Sequence, residues 1–236
     1  MCDFIYFVAI ILRDFWREIF DFVKDIIIIV LIVLLVRTYF IMPFKINGAS
    51  MDDSYYDKEF IIVDRFSYRD FPLIGQHREI QRGDAVIFKP WVSEERKYFI
   101  KRVIGLPGDT LKIAEGRVYI QNEDGQFDEL EEGAYLNEEN DKNTYVNRAE
   151  GENIYEVPEG KYFVMGDNRT QSTDSRNCFR SCSSGRSNFI GPEEITGKVF
   201  LDLGYFNIKT FSFTHPITGV STIPEFFGTL DEYSYE

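Results

Sequence analysis

The chain has 236 residues, enough for one sizeable domain with an attached segment, and 44% of them are apolar, which argues against global disorder. A formal charge of −13 repels phosphate backbones and argues against nucleic-acid binding. The only histidines are His77 and His215, and the only cysteines are Cys2, Cys178 and Cys182; H-E-x-x-H zinc chemistry is excluded, no Cys/His spacing suits a metal, and no cofactor is expected.

Apolar character is concentrated near the N-terminus. Residues Ile26 to Val36 form an unbroken aliphatic run. A bilayer span needs about 20 residues, so flanking residues must be recruited on both sides. The reading is an interfacial or cytoplasmic segment over 1–18 and a transmembrane anchor over 19–43. Asp21, Lys24 and Asp25 then lie near one end and Arg37 near the other, where basic side chains can snorkel. Arg13, Arg17 and Lys24 precede the span and favour an inside N-terminus. The rival readings are a buried soluble helix and a cleaved leader; the leader lacks a basic opening and a small-x-small site.

After Phe44 the pattern changes to short β-branched and aromatic runs split by turn residues. Strands are expected over 60–63, 84–88, 98–104, 110–113, 117–120, 161–165 and 197–203. The strings Arg82-Gly83-Asp84, Leu106-Pro107-Gly108-Asp109 and Val157-Pro158-Glu159-Gly160 mark turns. The chain also holds 22 Phe and 14 Tyr, which suit pleated surfaces or contact with lipid. The expected fold is mainly β, an antiparallel domain over 44–213 behind one N-terminal helix. Residues 123–159 are acidic and poor in apolar residues, and read as a solvated insertion rather than a site. Residues 214–236 form a tail whose role is not readable.

Three constellations can carry chemistry. In Asn47-Gly48-Ala49-Ser50-Met51, small neighbours would expose a serine beside free backbone N–H groups; an ordinary turn serine is the plainer alternative. In Tyr98-Phe99-Ile100-Lys101-Arg102-Val103-Ile104, a lysine sits inside an apolar strand. Burial there would disfavour its ammonium form and leave a neutral amine able to act as a base, whereas an edge lysine would reach water. The segment Gly166 to Arg176 packs turn formers, paired charges and hydroxyls after a strand. Its plainer reading is an Asx turn fixed by an Asp-Arg pair.

Taken together these strings resemble the type I signal peptidases. That family carries, in order, a membrane segment, S-M, R-G-D-x-(V/I)-x-F, K-R-(V/I)-x-G-x-P-G-D and G-D-N-R-x-x-S-x-D-S-R. Here they read Ser50-Met51, Arg82 to Phe88, Lys101 to Asp109 and Gly166 to Arg176. The resemblance spans residues 20 to 200 or so. It implies a signal-peptidase-like β catalytic domain with Ser50 as nucleophile and Lys101 as general base, working through an acyl-enzyme. It also implies the Ser50 N–H as oxyanion donor, with Gly48 where some members carry a second donor. Ser172 would orient the lysine, Asp174 and Arg176 would form a structural pair, and Arg102, Asp167 and Arg169 would support the site. The implied partners are pre-protein signal peptides with small residues before the cut, the lipid bilayer and the surroundings of the secretion translocon. The implied location is the cytoplasmic membrane, single-pass, with the catalytic domain outside.

The chain departs from the family in two places. Where S-M-x-P-T-L is usual, it has Ser50-Met51-Asp52-Asp53-Ser54-Tyr55, which replaces a rigid proline by Asp53. Residues 177–189 look inserted, and their Cys178 and Cys182 would pair outside the cytoplasm. Two other readings compete. One is a catalytically inactive, membrane-anchored β domain that binds secreted chains; the other is a self-cleaving Ser-Lys protease, which the acidic charge and the lack of a helix-turn-helix disfavour.

Overall fold

The computed structural model describes residues 2–52, 54–68, 78–90, 98–146, 153–180, 187–207, 211–214 and 225–226, with side chains from residue 12 to residue 214. Asp53, Cys182, both histidines and most of the tail lie outside these residues. The chain divides into two compact units, Met1–Ile41 and Met42–Glu236.

The first unit is one helix, α1 (Cys2–Tyr39). Its Arg, Glu, Lys, Leu and Ala residues are good helix formers, so residues 2–18 and the aliphatic run form a single element. Pro43 lacks an N–H and restricts the residue before it, which suits the strand β1 (Ile41–Lys45) that follows. The expected span 19–43 therefore differs from what is seen, because its last three residues are strand. Among the described residues no helix is long and apolar enough to cross a membrane. The physical reason is charge: Asp21, Lys24, Asp25 and Arg37 leave only residues 26–36 uninterrupted.

The second unit is mainly antiparallel β. Its strands are β2 (Phe60–Asp64), β3 (Ala85–Phe88), β4 (Phe99–Gly105), β5 (Thr110–Ala114), β6 (Arg117–Gln121), β7 (Phe127–Glu129), β8 (Asn153–Glu156), β9 (Phe163–Met165), β10 (Ile195–Asn207), β11 (Ser212–Thr214) and β12 (Glu225–Phe226). One sheet runs β1-β2-β10-β3-β4-β9, with β11 and β12 also paired to β10; a smaller sheet runs β7-β6-β5-β8. The long strand β10 shifts register against both β2 and β3, so one strand can serve several neighbours.

Alternation along the strands builds cores on both faces of the large sheet. Ala85 and Ile87 pack with Met51, Tyr55, Ile61 and Val63. Val86 and Phe88 pack with Val103, Val164 and Phe179. A third cluster joins the smaller sheet to β4 and β9 through Leu111, Ile113, Val118, Ile104 and Phe163. Each fully buried side chain of this size contributes about 1.5–3 kcal/mol.

The acidic stretch 123–159 is not simply a solvated insertion. It supplies β7 and β8, and Leu130, Glu132, Tyr135, Asn140, Thr144 and Val146 are all buried. The 177–189 region opens with a 3-10 turn (Ser175–Arg180) interrupted by left-handed backbone at Cys178 and Phe179. Cys178 is disulfide-bonded. The Phe179 ring packs edge-on against Phe88, with centroids 5.5 Å apart.

Candidate active site

Lys101 lies in the middle of β4, paired with Val86 of β3. Strand alternation puts Lys101 on the face shared by Phe99 and Val103, and Arg102 on the opposite face with Ile100. Lys101 is 1% exposed. Its Nζ lies 2.5 Å from Ser50 Oγ and donates to the Ile100 carbonyl at 2.7 Å. Burial pushes the ammonium down to about 8; Asp174 and Asp167 pull it back up, and Arg176 adds to the fall. At that value a usable fraction of the lysine is neutral near physiological pH, as a general base requires.

Ser50 sits in a turn that leads into Tyr55. Asp52 N–H bonds to the Ala49 carbonyl, and Ser54 and Tyr55 N–H both bond to Met51. Met51 and Tyr55 are buried and pin this turn to the sheet. Gly48 takes the left-handed backbone that a side chain disfavours, at φ 113°, with open space where a Cβ would stand. Its N–H donates to Asp57 Oδ1 at 2.7 Å, and having no side chain it carries no hydroxyl where some family members have a second oxyanion donor. Among the described residues no hydrogen bond engages the Ser50 N–H.

The 166–176 loop closes on Ser50 from the other side. Asn168 N–H donates to the Ser50 carbonyl at 3.3 Å, and Asn168 Nδ2 donates to the Ala49 carbonyl at 3.0 Å. Gly166 permits this approach, since a Cβ there would collide with the Ser50 carbonyl oxygen and with Ser172 Oγ. The Gly166 N–H is held by Asp174 Oδ2 at 3.1 Å and its carbonyl by Arg169 Nε at 3.2 Å.

Asp174 is fully buried against Arg176, with bonds of 2.9 and 2.8 Å. Burial alone would raise its carboxyl, but Arg176 and the Gly166 N–H hold it below the usual carboxylate range. Arg102 grips Asp167 at 2.9 and 2.6 Å, the Gly83 carbonyl at 2.7 Å and Ser54 Oγ at 2.9 Å. It thereby ties the chain just beyond Ser50 to the 166–176 loop.

Ser172, expected to orient the lysine, is not hydrogen-bonded to it. Lys101 Nζ donates to Ser50 and Ile100, while Ser172 Oγ lies over Gly166. That hydroxyl is buried and makes no hydrogen bond at good geometry, although it is near enough to Asp174 to favour the anion. Glu132 was missed by sequence reasoning. It is 8% exposed and forms a two-pronged ion pair with Arg169, one arm at 2.7 Å. Leu130, Tyr135, Leu136 and Val146, scattered among the acids, were the signal that part of this stretch turns inward. Cys178 belongs to a disulfide, and Cys182, its expected partner, lies outside the described residues.

Arranged this way, the site can perform acyl transfer. A serine hydroxyl touches a desolvated amine, and among the described residues the serine's own backbone N–H is free to donate to a developing oxyanion. Comparison with known proteins agrees. Residues 19–203 match the family described as signal peptidase, peptidase S26. Signal peptidase I of Bacillus licheniformis is 38% identical over 171 residues, which cover 68% of this chain and 80% of that protein. Signal peptidase I P of Bacillus subtilis subsp. natto is 32% identical over 181 residues, covering 75% and 88%. A signal peptidase I crystal structure from Enterococcus faecalis V583 is 25% identical and covers 51% of this chain and 97% of its own, with a TM-score of 0.33; that score is too low to bear on the fold.

Proposed function

This chain belongs to the signal peptidase family, peptidase S26, and from that we propose that it removes signal peptides from secreted pre-proteins with Ser50 as nucleophile and Lys101 as general base. Neutral Lys101 takes the Ser50 Oγ proton as Oγ attacks the scissile carbonyl. The Ser50 N–H stabilises the oxyanion. The protonated lysine then gives its proton to the leaving amine, and the mature protein departs. Water, deprotonated by the same amine, attacks the Ser50 ester; the signal peptide leaves as a carboxylate and the serine recovers its proton. The observation that carries this reading is the 2.5 Å approach of Nζ to Oγ in a buried setting. Ser172 and Asp174 then act on the lysine's surroundings, and Arg102, Asp167, Arg169 and Arg176 hold the loops.

Processing of a synthetic pre-protein tests the reading and fixes its pH dependence. The product should begin just after a small-x-small site. With Lys101 lowered to about 8 in the free enzyme, the neutral fraction, and with it kcat/KM, should rise about tenfold between pH 7 and 9 and then level off. A flat profile over that range, with chemistry rate-limiting, would rule out lysine as the base.

Attachment to a membrane through α1 completes the proposal, as a single crossing with the N-terminus inside and the β domain outside, beside the secretion translocon. Its support is the exposure of every residue from Ile26 to Leu35 on all sides of the helix. From Asp25 to Arg37 the helix rises about 18 Å, against a hydrocarbon core of about 30 Å. The span therefore needs Arg37 to snorkel and the 21–25 cluster to sit near the headgroups. There Lys24 bonds Asp21 at 3.0 Å, which eases the burial of both charges. The full chain should float with liposomes in a density gradient; a chain that stays at the bottom without detergent would contradict this attachment.

A further inference from the structure

The structure assigns Glu132 as a positioning residue for the Ser50–Lys101 reaction, acting through Arg169 on the loop that holds the nucleophile; this rests on the Ser-Lys reading above. Glu132 comes from the acidic stretch, 37 residues before Arg169 in sequence. Both its oxygens engage the Arg169 guanidinium, which is itself 0% exposed. The same guanidinium donates to Thr144 Oγ1 at 2.7 Å and to the Gly166 carbonyl at 3.2 Å. The Arg169 backbone N–H donates to Asn140 Oδ1 at 2.8 Å. Gly166 lies against the Ser50 carbonyl, so three side chains of the acidic stretch fix the peptide that backs the nucleophile.

A second path leaves the same carboxylate. Tyr135 donates its hydroxyl to Glu132 Oε1 at 2.7 Å. Its ring lies 4.2 Å from the Arg102 guanidinium, and Arg102 grips Asp167 and Ser54. One buried carboxylate thus braces two arginines from two separate motifs. A guanidinium buried without a counter-charge is strongly unfavourable, so this geometry depends on the Glu132 charge.

That dependence gives a signature which a purely structural residue lacks. The charged groups acting on Lys101 are Asp174, Asp167 and Arg176, with Ser50, the Ile100 carbonyl and the Phe99 ring around its Nζ. If Glu132 becomes neutral, Arg169 loses its counter-charge, and Asp167 is the remaining carboxylate within electrostatic reach of it. Asp167 then supports the lysine's ammonium less, which lowers the lysine pKa, so the acid limb of the profile moves to lower pH while the plateau falls.

The test is pre-protein cleavage by the full chain in detergent, comparing wild type, Glu132→Gln, Tyr135→Phe and Ser50→Ala across pH 6 to 10. Glu132→Gln should lower plateau kcat about tenfold or more, as expected for a nucleophile displaced by a fraction of an ångström, and shift the acid limb downward by about half a pH unit. Tyr135→Phe, which removes one hydroxyl and keeps the ion pair, should lower kcat by a few fold; it keeps the test decisive if Glu132→Gln does not fold. Wild-type kcat in both variants overturns the inference. So does a loss that only follows the folded fraction, with an unmoved acid limb. Ser50→Ala separates the serine chemistry from the role of Glu132. If it cleaves like wild type, the serine reading itself has failed; if it is silent while Glu132→Gln matches wild type, only the role of Glu132 falls.

Discussion

Replacing Lys101 by methionine is expected to abolish cleavage and at the same time make the protein more stable. Loss of a general base lowers rates by about 10²–10⁴-fold, and here the same amine is used in both acylation and deacylation, so the upper end is expected. Stability moves the other way because the lysine is buried at a cost. Its value falls from 10.5 to about 8 on folding, and each unit is worth about 1.4 kcal/mol. Methionine removes that charge, fills similar space, and leaves the Ile100 carbonyl without its partner, which returns about 1 kcal/mol. A net gain of about 1–3 kcal/mol at pH 7 follows. The sign with pH is fixed by linkage. Between about 8 and 10.5 the unfolded chain binds more protons than the folded one, so wild-type stability rises with pH in that window. The advantage of methionine is therefore full below about 8 and fades toward 10.5. Urea unfolding at pH 7 and at pH 10 measures it. A variant that is inactive and less stable at pH 7 would mean that Lys101 is held for packing and not for chemistry.

Arg102→Met should have the largest effect on stability. The guanidinium makes four hydrogen bonds and lies on the Tyr135 ring. Its removal leaves Asp167, 0% exposed, without its direct ion-pair partner. Breaking one side of a buried pair costs about 3–5 kcal/mol, a large share of the roughly 5–15 kcal/mol that holds a typical domain folded. Cleavage should fall as well, since Ser54 loses its tether four residues beyond the nucleophile. Arg102→Lys keeps the charge but not the two-pronged grip, so it should recover only part of the loss. An unfolding free energy within about 1 kcal/mol of wild type for Arg102→Met would show that the pair is not a structural tie.

The strands were legible where β-branched and aromatic runs ended in Gly, Pro and Asp turns. Residues 60–63, 110–113 and 117–120 fall within one residue of β2, β5 and β6. The meeting of Ser50 with Lys101 was suggested by resemblance alone, through strings at 50–51, 82–88, 101–109 and 166–176 that keep the family's order. Strand β1 was not, since Ile41-Met42-Pro43-Phe44 continues the apolar run and has no turn residue before it. The inward part of the acidic stretch was hidden for a different reason. A carboxylate is buried only when a distant cation meets it, and the pairing of Glu132 with Arg169 spans two motifs with no local pattern to announce it. Ser172 was assigned to the lysine by its place in the motif, whereas its hydroxyl lies buried over Gly166.

Whether Ser50 is the nucleophile of a signal-peptide-removing endopeptidase is decided by the mass of a synthetic pre-protein after incubation with the full chain and, in parallel, with Ser50→Ala. The wild-type chain should release one mature product cut after a small-x-small site, and the variant should leave the pre-protein intact. Release of the same product by Ser50→Ala at a comparable rate would contradict the account.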